Sequence, residues 1–174
     1  MNPGSGARGF AAMLVAAVVA MLGAGCADTG DDQARPSASI DRQAEVAERG
    51  ASVMPFDLDR TTHHFAKTDT GGVQTVVADD PANDGQIRLI QQHLSHEADR
   101  FGRGEFTDPA RIHGADMPGL AALRDSAGKI AIDYATTDDG ARITYRTTDP
   151  ALVAALHAWF DAQVSDHGHH ATAG

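Results

Sequence analysis

Two stretches of this chain repeat one another, and the repetition narrows the possible folds more than composition does. The first reads HHFAKTDTGGVQTVVADDP and the second IDYATTDDGARITYRTTDP, each followed by a helical pattern. Gly71 falls over Gly140, Thr75 over Thr144, Asp80 over Asp149 and Pro81 over Pro150. Each copy therefore reads as strand, glycine-bearing turn, strand, Asp-Pro, helix. The T-D-T-G-G and T-D-D-G runs are hairpin chemistry, because glycine supplies the positive φ that tight connections need. Asp80 and Asp149 stand where a helix cap belongs, with Pro81 and Pro150 in the first turn.

The helices carry clear apolar stripes. Ile87, Ile90, Leu94, Ala98 and Phe101 recur at helical spacing, and Leu152, Leu156, Trp159, Phe160 and Gln163 share one side of the last helix. A shorter helix is expected from Gly119 to Arg124 between the halves. The order β-β-α-α-β-β-α predicts an α+β fold. Two ββα units would form a four-stranded, mostly antiparallel sheet with helices packed on one face, within a domain spanning residues 54–168. At that length the core is sufficient but modest.

Upstream lies an address. Phe10–Leu22 has no charge, proline or glycine, and only Arg8 precedes it as a charged residue. At about 1.5 Å per residue the run falls well short of a hydrocarbon core of roughly 30 Å, but it matches the apolar region of a signal peptide. Gly23-Ala24-Gly25 and then Cys26, the single cysteine, follow it. This constellation resembles the lipobox of bacterial lipoproteins, with Leu22 one place further from the cysteine than usual. The resemblance implies cleavage after residue 25, lipidation of Cys26 and attachment to a membrane of the cell envelope. Ordinary secretory cleavage near Ala24, leaving a secreted protein with a free thiol, is the alternative. One cysteine allows no internal disulfide in an oxidising compartment. Residues 26–53, rich in Asp, Ser, Ala and Gly, read as a disordered tether with at most a helical turn near Gln43–Glu48, and residues 169–174 as a flexible histidine-bearing tail.

The balance of 24 acidic against 14 basic residues gives a formal charge of −10, and losing Arg8 with the signal peptide makes it more negative. Phosphate backbones demand clustered Lys and Arg, so nucleic acid is excluded as a partner. Electrostatic attachment to anionic lipid is disfavoured for the same reason, leaving the lipid on Cys26 as the membrane link. Cations are the natural guests of such a surface.

All nine histidines come after residue 62. Imidazole is a common ligand of zinc, copper and nickel, with carboxylate and thioether as companions. His93 and His96, one turn apart on a helix, can converge on one ion, although the same spacing describes a solvated face. His63 and His64 are neighbours on a strand and must point to opposite faces. The repeat sets His63 over Ile132 on the inner side and His64 over Asp133 outside. The loop Asp108–Gly119 offers Asp108, His113, Asp116 and Met117 in a span broken by Gly and Pro, although Asp116 could equally cap the helix begun at Pro118 while Ile112 and Met117 plug the sheet edge. The candidate ligands are thus His63, His64, His93, His96, His113, Asp116 and Met117, with Zn or Cu as the expected metal. Neither HExxH nor a Cys-His zinc pattern is present.

Catalytic signatures are sparse: Gly-x-Ser-x-Gly is absent, and no glycine-rich loop leads a strand into a helix. The runs MPFDLDRTTHHF, GGVQTVVADDP, GEFTDPARIHGADMPGL and DPALVAALHAWFDAQVSDHG resemble a family of small bacterial secreted proteins and lipoproteins. The resemblance spans nearly all of residues 54–168. Members of that family are sometimes labelled aspartate carbamoyltransferase, which would imply a transferase. Transcarbamoylases hold carbamoyl phosphate with a Ser-Thr-Arg-Thr loop at a helix start. Here Thr61-Thr62-His63-His64 sits on a strand, and Thr147-Thr148 precedes Asp149 without an arginine. Three functional readings stand: transient binding of a transition-metal ion in the envelope, a non-enzymatic module that binds another envelope protein, and a transferase.

Overall fold

A computed structural model describes residues 34–174. The expected signal peptide, Cys26 and the start of the expected tether lie outside the described residues. The chain runs α1 (Ala34–Ala51), a 3-10 turn (Leu58–Arg60), β1 (Thr61–Thr68), β2 (Gly71–Ala78), α2 (Asp84–Gly102), α3 (Thr107–His113) and α4 (Leu120–Arg124). It continues through β3 (Ala131–Thr137), β4 (Gly140–Arg146), α5 (Pro150–His167), a second 3-10 turn (Gly168–His170) and β5 (Ala171–Ala173). Five strands form one sheet in the order β3-β4-β2-β1-β5, antiparallel except where β5 runs parallel to β1. The fold is α+β, as the sequence predicts, with α2 and α5 packed against the sheet.

The repeat is visible as a two-fold relation about the central β2–β4 pair. The Ala78 amide donates to the Asp139 carbonyl at 2.8 Å, and its counterpart Thr147 donates to Thr70 at 2.9 Å. A Cβ on Gly71 would lie 2.1 Å from the Tyr145 oxygen, and one on Gly140 would lie 2.0 Å from the Val76 oxygen. Both repeated glycines are therefore needed for the strands to approach. Inner positions of the sheet, among them His63, Phe65, Val76, Ile143 and Tyr145, meet the stripes of α2 and α5. Asp149 caps α5 by accepting from the Ala151 amide. Asp80 does not cap α2: it closes a turn onto the Ala82 amide, and Asn83 caps the helix instead. Two capping side chains follow each other there, and the later one sets the boundary.

Three expectations need correction. The tether does not extend to residue 53, because α1 lies on the domain with Val46 fully buried. Its support is tertiary: Arg42 bonds Asp166 and the His113 carbonyl, Gln43 the Ser165 carbonyl, and Arg49 the Ile112 carbonyl. Composition alone does not reveal clamps of that kind. The tail is not free either, since β5 pairs with His63, His64 and Phe65 and makes the sheet five-stranded. An edge strand with unpaired backbone groups readily accepts such an addition. Finally, the segment read as a loop from Asp108 begins as a helix, α3, which ends where Gly114 takes a φ of 96°.

Candidate functional site

Three imidazoles from three elements meet under α1. His63 comes from the inner face of β1, His113 from the last turn of α3, and His167 from the last turn of α5. The His63 and His167 rings stack with centroids 4.9 Å apart, and His113 meets His167 edge-on at 5.0 Å. His63 and His113 are each 3% exposed. All three line one cavity with Met54, Phe56, Trp159 and Gln163, and His93 with Glu97 and Asp108 lines it too. The cavity leaves about 30 Å³ for the centres of water-sized molecules, the room of a few waters or a small ion rather than of a drug-sized ligand.

The tautomers follow from the partners. His113 donates from Nδ1 to Asp166 at 2.8 Å, because an ionised carboxylate can only accept. Asp166 is also bound by Arg42 through Nε at 3.1 Å and Nη2 at 2.7 Å. Burial works against ionising this carboxyl, but the bonds from His113 and Arg42 outweigh it and hold it at about 2. His63 Nδ1 is buried without a hydrogen-bond partner, as is Trp159 Nε1. Burial pushes the His63 ring down to about 4 against a backbone bond to His170, which falls to its other nitrogen. Burial likewise pushes His167 well down and lowers His93. These three rings are uncharged at neutral pH, the form in which imidazole ligates metals.

At the other end of the cavity, Arg100 Nη1 bridges Glu97 Oε1 at 2.9 Å and Asp108 Oδ2 at 2.7 Å. Burial, followed by the neighbouring Asp108, pushes Glu97 up to about 7.

The sequence candidates divide. His63, His93 and His113 line the cavity. His64 faces the opposite side of the sheet and bonds Thr172, as strand alternation requires. His96 is exposed on α2, because the stripe that buries Leu94 turns it to solvent. Asp116 and Met117 line a separate surface pocket with Arg42 and Asp166, because α3 ends before them and the chain turns away. His157 pins α5 to the first hairpin through the Thr68 and Gly71 carbonyls. Asp108, which the sequence offers in its loop, lines the cavity as well, whereas His167, Gln163 and Glu97 lie outside the sequence candidates. The repeat held the signal for two of them, since it sets Gln163 over Leu94 and His167 over Ala98, polar residues at core positions.

Among the described residues no three His, Cys, Asp or Glu side chains are arranged to hold a metal ion, so the imidazoles are assembled without their nitrogens converging. No described helix is long and apolar enough to cross a membrane. No protein-family model, curated protein or solved structure matches the chain.

Proposed function

We propose that the chain is an exported lipoprotein, anchored through Cys26, whose domain takes up one transition-metal ion transiently with His63, His113 and His167. The gathering of three imidazoles from β1, α3 and α5, His63 and His113 buried and His167 half-buried, carries this reading. Two of the rings are held neutral by burial, and the third is oriented by a carboxylate in the pattern common behind metal-bound histidine. Nitrogen donors in an apolar shell suit zinc, copper or nickel, copper(II) binding most tightly. The rings must turn to bring their nitrogens onto one ion, and that reorganisation weakens binding, which suits buffering or delivery rather than permanent retention.

Trp159 Nε1 favours a second reading, because an indole N–H donates a hydrogen bond and ligates no metal. On that reading the cavity takes a small oxygen-bearing molecule.

Calorimetric titration of the full chain in mild detergent with Zn²⁺ and Cu²⁺ at pH 7.4 tests the reading. One ion per chain at micromolar affinity or better is expected. It should be lost in His113→Ala and in His167→Ala, and kept in His96→Ala and in His169→Ala/His170→Ala. Binding lost only with the tail histidines, or none at all, would remove the metal reading and leave the small-molecule one.

A further inference from the structure

We propose that the histidine-lined cavity binds one small uncharged molecule that both donates and accepts hydrogen bonds, an amide or alcohol of about three non-hydrogen atoms, held by His63 Nδ1 and Trp159 Nε1. The inference rests on the small-molecule reading of the cavity and names the chemical class of its occupant.

The two nitrogens are complementary. Both belong to side chains that line the cavity, and both are buried without a hydrogen-bond partner. Trp159 is fully buried, and its indole N–H can only donate. His63 is 3% exposed, and its other nitrogen bonds the His170 backbone. That bond favours the protonated ring, so the ring donates it to the carbonyl. Nδ1 of the neutral imidazole is then an acceptor. The cavity therefore presents one donor and one acceptor. A carboxylate has no hydrogen to give His63, and a cation has no lone pair to offer Trp159. A hydroxyl or amide compound supplies both.

The rest of the lining agrees. Its other polar side chains are largely engaged: His113 bonds Asp166, Glu97 and Asp108 share Arg100, and Gln74 holds the Tyr145 hydroxyl. Among the described residues no Lys or Arg lines the cavity, so an anion would find no partner charge there. Gln163, 5% exposed, adds an amide that can donate or accept, while Phe56, Leu94 and Ile112 supply apolar walls. The 30 Å³ open to the centres of water-sized molecules is the room of about two waters. A ligand of about three non-hydrogen atoms can reach a Kd of about 1 mM at best.

Trp159 is the single tryptophan, so its indole N–H gives one isolated signal in proton–nitrogen correlation spectra of the isotope-labelled chain. The test titrates the full chain, in mild detergent with a chelator at pH 7.4, with formamide, formate and formamidinium. These probes share size and shape, but the first both donates and accepts, the second only accepts and the third only donates. Formamide should move the indole signal saturably, with a Kd of about 1–10 mM. Formate and formamidinium should bind about tenfold more weakly or worse, because each leaves one buried nitrogen unpaired. His63→Leu, which removes the acceptor, should weaken formamide about tenfold. Formate or formamidinium saturating as readily as formamide, or formamide binding unchanged in His63→Leu, overturns the proposal and leaves the small-molecule reading intact. A signal that none of the probes shifts saturably overturns both.

Discussion

Replacing His63 by leucine should stabilise this protein, although His63 lies in its core. The side chain is 3% exposed, and its Nδ1 has no partner. A buried unsatisfied polar atom costs about 1–3 kcal/mol, whereas the backbone bond at the other nitrogen contributes roughly 1 kcal/mol. Leucine of similar size removes both, for an expected gain of about 1 kcal/mol at pH 7.5. Acid enlarges the difference. The folded ring is held at about 4 against an ordinary 6.5, so the unfolded chain binds a proton that the folded one refuses. The stability His63 leaves in place above pH 6.5 is lost as pH falls from there toward 4. At pH 5 that is one and a half pH units at about 1.4 kcal/mol each, about 2 kcal/mol, and His63→Leu is spared it. Urea denaturation followed by the fluorescence of the single tryptophan, Trp159, reads the difference at both pH values. His63→Leu also relieves its share in lowering the stacked His167 ring, so the difference between the two curves reports the His63–His167 pair. A variant less stable than wild type by more than about 1 kcal/mol at pH 7.5 would show that the imidazole is a structural residue. A gap that does not widen at pH 5 would refute the burial argument.

The remaining predictions concern the scaffold. Gly119 has a φ of 77°, and a Cβ there would lie 2.1 Å from the Ala155 oxygen, so Gly119→Ala should cost about 3 kcal/mol or more in urea unfolding. Arg42→Ala should loosen α1, with faster hydrogen exchange over Ala34–Ala51 and a loss of about 1 kcal/mol, because the pair with Asp166 is partly exposed. Asp166 sits at about 2 rather than 3.8, so its contribution is intact above 3.8 and lost as pH falls toward 2. Acid unfolding of Asp166→Asn should accordingly lack that limb. Met117→Leu and Asp116→Asn should leave Zn²⁺ uptake unchanged in calorimetry, since both residues lie outside the cavity.

Much of the fold is legible in the sequence because its determinants are local. Glycine turns, the Asp149 cap and the two apolar stripes each lie within a few turns of chain, and the stripe residues are the ones that α2 and α5 bury. The site is less legible because its members meet only in three dimensions. His63, His113 and His167 come from three elements, and nothing near His113 announces that Asp166 will orient it. α1 and β5 escape a compositional reading for the same reason. Each buries few apolar side chains, Val46 on α1 and Ala171 on β5, and is otherwise held by bonds to distant carbonyls or to a strand edge.

The two-fold repeat gives the site its physical logic. Matched positions compare two answers to the same packing problem. Where β3 and α2 place Ile132, Leu94 and Ala98, their repeat counterparts on β1 and α5 are His63, Gln163 and His167, so these three matched positions are polar beside β1 and α5 and apolar beside β3 and α2. Such replacements weaken packing and persist only where something else depends on them. The same alignment sets Glu97 over Asp166, two carboxyls at equivalent points of α2 and α5, each bound by an arginine. Their environments drive them apart. Asp166 receives Arg42 and the His113 N–H without a competing acid and ionises at about 2. Glu97, with burial already against it, shares Arg100 with a second acid and keeps its proton up to about 7. Asp108→Asn tests this account: with the competing acid gone, the Glu97 carboxyl should move down toward the ordinary range, read as loss of its protonated carbonyl band in infrared spectra at pH 6, and a band that persists would show that burial alone holds it up.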